Sequence, residues 1–189
     1  IASFKENTVE QFQNALNQLL KQGAKGLVFD VREDGGGLVA ALEKIVDPLL
    51  PAGDIATATY QDGTTKVLVH SDANELNLPM MVLVNGNTAS AAELFTASLK
   101  DFGKAEVIGE QTFGKGIMQN TFELPDGGAV TLTVATYQTT KGECYHGVGI
   151  TPDVIMEEDY EKVDFDHPNP EQDAQLKQAM ELLQSKISS

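Results

Sequence analysis

The chain has 189 residues, with 13 Lys plus Arg against 28 Asp plus Glu and a formal net charge of −15. Such a surface repels phosphate backbones, which argues against nucleic acid as a partner and against docking of the domain on anionic lipid. Apolar residues make up 41 % of the chain, ordinary for a globular domain with a core, and the single cysteine, Cys144, rules out an internal disulfide. The three histidines lie far apart, and no metal-ligand spacing such as H-E-x-x-H occurs, so no metal or other cofactor is expected. No apolar run approaches 18 residues and no signal peptide is visible. The chain opens on Ile1-Ala2-Ser3-Phe4, without Met, and these residues read as the end of a strand. A piece of a longer protein is expected, with any targeting segment outside it.

Helices and strands alternate. Thr8 and Gln11 fit a capping box, and Val9, Phe12, Leu16, Leu19 and Leu20 keep helical spacing up to Gly23. Gly26 to Val31 is a short continuous apolar run, the mark of a strand buried on both faces. Gly35-Gly36-Gly37 turns into a second helix that runs to about Leu50. Ile55 to Tyr60 and Lys66 to His70 read as a hairpin around Asp62-Gly63. Pro79 to Val84 is a buried strand, followed by a helix from about Ser90 to Phe102 that Gly103 closes. Ala105 to Gly109 is a strand. Ile117 to Glu123 and Ala129 to Gln138 pair across Pro125-Asp126-Gly127-Gly128. An acidic, Pro-containing stretch from Glu157 to Pro170 precedes a last helix near Asp173 to Ser185. Buried strands linked by helices imply an α/β domain with a mainly parallel sheet.

Two residues stand in unusual settings. Ser90 follows the strand Met81-Val82-Leu83-Val84, where the chain turns into a helix, and Lys115 lies 25 residues on, between Gly114 and Gly116. A serine at such a turn can be a nucleophile, and a lysine in an otherwise apolar stretch can shed its proton and act as its base. Ser90 and Glu93 also fit S-x-x-E, an ordinary capping box. Asn87 and Thr88 offer alternative caps that would leave the Ser90 hydroxyl free. Gly109 to Lys115 matches G-x-x-x-x-G-K, but Gly116 stands where magnesium binding needs Ser or Thr, and a strand-like run follows where phosphates need a helix. Gly35-Gly36-Gly37 is either a flexible turn or an oxyanion hole built on an uncovered backbone N–H. Gln119, four residues beyond Lys115, would share its face on a strand and could hold its amine. His146 reads as structural.

Three segments together resemble the catalytic domain of the C-terminal processing peptidases, also called tail-specific proteases. They are Asn85 to Glu93, Gly109 to Gly116, and His146-Gly147-Val148-Gly149-Ile150-Thr151-Pro152-Asp153. Asp30-Val31-Arg32-Glu33-Asp34-Gly35-Gly36-Gly37-Leu38 is similar to that family's Asp-Leu-Arg-x-Asn-Pro-Gly-Gly-Leu segment. The match runs from Ile1 to about Val154. It implies a crotonase-like (ClpP/crotonase) α/β core with a mainly parallel sheet and crossover helices. It implies a serine endopeptidase of Ser-Lys type that cleaves protein or peptide substrates near their C-termini. Carried over residue by residue, Ser90 is the nucleophile, Lys115 the base and Gln119 the residue that orients it; the oxyanion donors are the backbone N–H groups of Gly36 and Ala91. Gly35 stands where proline is common, which loosens the turn, and Ala92 where serine is common. Residues 1–156 would form the catalytic core and 157–189 an acidic loop and C-terminal helix. A PDZ domain normally precedes this core and nothing here resembles one. The full-length protein is expected outside the cytoplasm, in the periplasm or tethered to the outer membrane face, and a homo-oligomer stays open.

Two rivals remain. A non-catalytic ligand-binding module on the same fold would lack the Ser-Lys pair. An acyl-CoA enzyme of crotonase type would need basic groups for the CoA phosphates, and the acidic composition argues against these. Without its missing parts, the chain is expected to hold Ser90 and Lys115 loosely, because Gly114 and Gly116 let the lysine segment shift.

Overall fold

The computed structural model describes residues 1–72 and 74–188. In chain order they form α1 (Glu6–Lys21), β1 (Leu27–Asp30), α2 (Val39–Val46) with a 3-10 turn (Asp47–Leu49), β2 (Gly53–Tyr60), β3 (Thr65–Ser71), β4 (Met80–Val84), α3 (Ala91–Asp101), β5 (Ala105–Gly109), β6 (Ile117–Glu123), β7 (Ala129–Thr139), β8 (Val154–Ile155) and α4 (Ala174–Ile187).

The continuous apolar runs become the parallel sheet β1-β4-β5-β8. All of β4 is buried, and its two faces serve different layers. Met80, Val82 and Val84 join the main core with Phe29, Leu42, Leu94 and Phe95. Met81 and Leu83 alternate to the other face, where Ala179 and Leu183 of α4 cover them. An acidic chain of this length thus covers both sides of its parallel sheet with helix.

The expected parallel sheet is present, but it is only one of two sheets. A second four-stranded sheet, β3-β2-β7-β6, is antiparallel throughout and has the longer strands. Both hairpins were readable, but their union was not: β2 pairs with β7 from Ala56↔Thr139 to Tyr60↔Ala135, residues too far apart in sequence for any local pattern to join. β8 also escaped, because two residues carry no period.

Smaller corrections concern ends. α1 starts at Glu6 with Lys5 as its N-cap, so Thr8 lies inside the first turn; its hydroxyl accepts from the Lys5 N–H at 3.2 Å and donates to the Ser3 carbonyl at 2.8 Å. α2 stops at Val46 and tightens into the 3-10 turn, where Pro48 has no N–H to donate. The first residues form no strand. Phe4, fully buried against Phe95, makes a lone parallel bridge with Gly37: its N–H donates to the Gly36 carbonyl at 3.0 Å and its carbonyl accepts from Leu38 at 2.7 Å. This bridge pins the glycine turn that faces Ser90.

Among the described residues, no helix is long and apolar enough to cross a membrane, and no group of three or more His, Cys, Asp or Glu could hold a metal ion.

Candidate active site

β4 delivers the chain to a tight turn. Asn85 Oδ1 accepts from the N–H groups of Glu33 and Asn87 at 3.1 Å each, and the Thr88 hydroxyl accepts from the Asn85 N–H at 3.0 Å and donates to the Val31 carbonyl at 2.9 Å. Asn87 donates its amide to Glu33 at 2.9 and 3.0 Å. Both proposed alternative caps are therefore occupied elsewhere, and Ser90 itself is the N-cap of α3. It sits at φ 57°, ψ −118°, a left-handed strained conformation for a residue with a side chain. Its hydroxyl lies 3.4 Å from the Tyr137 hydroxyl.

Glu93 organises what surrounds Ser90. Its side chain is fully buried and accepts four hydrogen bonds. Oε2 takes the Ser90 N–H at 2.9 Å and the Lys115 N–H at 2.7 Å; Oε1 takes the Thr112 hydroxyl and the Gly114 N–H, both at 2.6 Å. Four donors and the N-terminus of α3 satisfy a carboxylate that makes no ion pair among the described residues. The lysine loop is therefore pinned at its backbone. Gly114, at φ +91°, is required by close approach, since a Cβ there would lie 2.9 Å from the Gly149 nitrogen. The loop is held where the sequence reading expected freedom.

Lys115 is half-buried, and its carbonyl accepts from the Tyr137 hydroxyl at 2.8 Å. Its Nζ makes no hydrogen bond or ion pair among the described residues. The loop continues into strand β6, not a helix, as expected against a nucleotide site. Gln119 is exposed on β6 and makes no hydrogen bond to Lys115; a register shift between Met118 and Gln119 breaks the even spacing that would align the two. His146 Nδ1 lies 3.2 Å from the Gly114 carbonyl and packs over Gly116, in keeping with a structural part.

Gly36 and Ala91 do come together. A Cβ on Gly36 would lie 2.7 Å from the Ala91 nitrogen and 2.9 Å from the Ser90 Cβ, so only glycine fits there at φ +96°. The Ala91 N–H, first in α3, has no acceptor among the described residues. The Gly36 N–H donates to Asp34 Oδ1 at 2.7 Å. Asp34 is fully buried, and its Oδ2 has no hydrogen-bond partner among the described residues. Burial pushes its carboxyl up to about 6, against the Gly36 hydrogen bond, which favours the anion.

The sequence reading missed Glu93 as a hub, Tyr137 and Asp34. Glu93 had been seen only as half of a capping box. Asp34 had a signal: it occupies the place of an asparagine in the similar family segment. Tyr137 had none, since it arrives from the other sheet. Burial raises the Tyr137 phenol above its ordinary range, so it is a neutral donor.

Arg32, one turn from the glycine loop, is buried and reaches Asp30 Oδ2 and Asp173 Oδ2, both at 2.6 Å, with Gln175 Oε1 at 3.2 Å. It locks the start of α4 to the end of β1.

A family model described as "Peptidase family S41" matches residues 1–156. A carboxyl-terminal-processing protease of Synechocystis sp. is 36 % identical over 183 residues, 97 % of this chain and 42 % of its own length. The chloroplastic C-terminal processing peptidase of Tetradesmus obliquus is 39 % identical over 159 residues, 83 % of this chain and 34 % of its own. Among solved structures, a photosystem II D1 C-terminal processing protease superposes with a TM-score of 0.77 at 39 % identity, covering 83 % of this chain and 41 % of the other. The chain spans less than half the length of these relatives.

Proposed function

Because the chain belongs to peptidase family S41, we propose that it is the catalytic part of a serine endopeptidase that cuts protein substrates near their C-termini. The observation that carries the reading is one buried carboxylate, Glu93, tying the backbone of a strained serine to that of a lysine. In the reaction, Ser90 Oγ attacks the scissile carbonyl carbon while Lys115, as the free amine, takes the hydroxyl proton. The carbonyl oxygen becomes an oxyanion held by the Ala91 and Gly36 N–H groups. The intermediate collapses, the C–N bond breaks, and Lys115 returns the proton to the leaving amine. Water then attacks the acyl-serine while Lys115 takes its proton; the acyl C–Oγ bond breaks, Lys115 passes that proton to Ser90 Oγ, and the carboxylic acid product leaves. Gln119 is assigned to orient the lysine, which requires β6 to draw it toward Nζ when substrate binds.

The finer assignments belong to the same reading. The core is crotonase-like with crossover helices. Residues 1–156 are the catalytic unit, followed by the acidic loop and helix of 157–189. A PDZ domain elsewhere in the full-length protein presents the substrate tail, and the site of action is extracytoplasmic. The relatives' names favour this over a non-catalytic module or an acyl-CoA enzyme.

The test is hydrolysis of an unstructured peptide followed by mass spectrometry. Internal cleavage near the C-terminus is expected for the wild type and none for Ser90→Ala or Lys115→Arg, because guanidinium does not give up its proton. Undiminished cleavage by either variant overturns the assignment.

A further inference from the structure

The Gly36 N–H is asked to donate to an oxyanion, yet it already donates to a carboxylate two residues upstream. The Asp34 backbone is itself part of the nucleophile turn, since its carbonyl accepts from the Ala89 N–H at 2.9 Å. Its side chain is fully buried, with one oxygen unpartnered among the described residues. A buried anion with a spare lone pair, at hydrogen-bond distance from an oxyanion donor, has two effects on a second anion formed nearby. It competes for the N–H, and it repels the developing charge in a medium that screens poorly.

We propose that Asp34 is a positioning residue that gates the oxyanion hole: its carboxylate withholds the Gly36 N–H from substrate, and the neutral acid releases it. The inference rests on the peptidase reading above. As the neutral acid, Asp34 accepts weakly and no longer repels the oxyanion. The asparagine of the similar family segment would carry no charge at any pH, so the gate comes from the aspartate of this chain.

The charged neighbours leave the gate to Asp34. Arg32 is engaged by Asp30 and Asp173, Glu33 by Asn85 and Asn87, and Glu93 by its four donors. Lys115 makes no ion pair among the described residues. Burial places the carboxyl's protonation in the range where the enzyme would work, up to about 6.

The experiment compares kcat/KM of wild type and Asp34→Asn between pH 5 and pH 8 on one peptide. The ratio of variant to wild type should be near 1 at pH 5 and grow about tenfold per pH unit above 6, to on the order of 100 at pH 8. The change should fall in kcat more than in KM, because the donor matters most in the transition state. A pH-independent ratio means a merely structural aspartate and overturns the proposal. The Gly36 amide resonance of the same two proteins reads the carboxyl without reference to activity. A step near pH 6 in wild type, missing in Asp34→Asn, is expected, and its absence also overturns the proposal. If the step is present and neither protein cleaves peptide, the peptidase reading fails, and the gate's role in catalysis with it.

Discussion

The backbone N–H groups of Ser90 and Lys115 end on the same oxygen, Glu93 Oε2, at 2.9 and 2.7 Å. The Ser90 turn and the Lys115 loop are thus one unit, although neither side chain bonds to the other. Removing the carboxylate should disturb both at once. Glu93→Ala leaves buried donors from Ser90, Thr112, Gly114 and Lys115 unpaired and should lower stability by about 3–5 kcal/mol. Urea denaturation measures this; a loss under about 1 kcal/mol would mean water replaces the carboxylate.

Ser90 holds φ 57° and ψ −118°. That conformation costs on the order of 1–3 kcal/mol for a residue with a Cβ and little for glycine. Ser90→Gly is therefore expected to be at least as stable as wild type, and more stable than Ser90→Ala, by thermal unfolding. Both should lack peptidase activity. The reverse order of stability would show that the cap matters more than the strain.

Asp34 makes stability depend on pH. Its folded-state carboxyl is pushed from 3.8 to about 6 by burial, so the folded protein binds this proton more tightly than the unfolded chain. The stability it contributes is full below about pH 4 and is lost as pH rises through 6. Asp34→Asn has no such loss. Its gain over wild type should be near zero at pH 4 and on the order of 2–3 kcal/mol above pH 7, read from denaturation midpoints at each pH.

Asp173 carries the opposite sign. Burial alone would raise its carboxyl, but hydrogen bonds from Arg32 and the Leu176 N–H outweigh this and hold it below the ordinary range. Its contribution is present at neutral pH and lost as pH falls below about 4. Asp173→Ala also removes the N-cap of α4 and one partner of a buried guanidinium. A cost of about 3–5 kcal/mol is expected, with faster amide exchange in α4 than in β4. Unchanged exchange in α4 would show that Leu183 and Ala179 hold the helix without the ion pair.

Local pattern carried much of this protein. Composition and charge pointed away from nucleic acid, anionic lipid and metal. Period and turn chemistry placed both hairpins and nearly every helix, because these depend on neighbours a few residues away. The Ser90 turn, the glycine flanks of Lys115 and the Gly36 turn were legible for the same reason: each needs particular residues in immediate succession.

Tertiary structure decided how those pieces meet. The pairing of β2 with β7 made a second, antiparallel sheet, and that sheet brings Tyr137 to within 3.4 Å of Ser90 Oγ. Glu93 looked like half of a cap until the chain returned 22 residues later to place Lys115 on it. Asp34 looked like any polar turn residue; burial raised its carboxyl and set it on the Gly36 N–H. Desolvation and hydrogen bonds across long separations depend on which surfaces are brought together, and in one dimension no residue is buried.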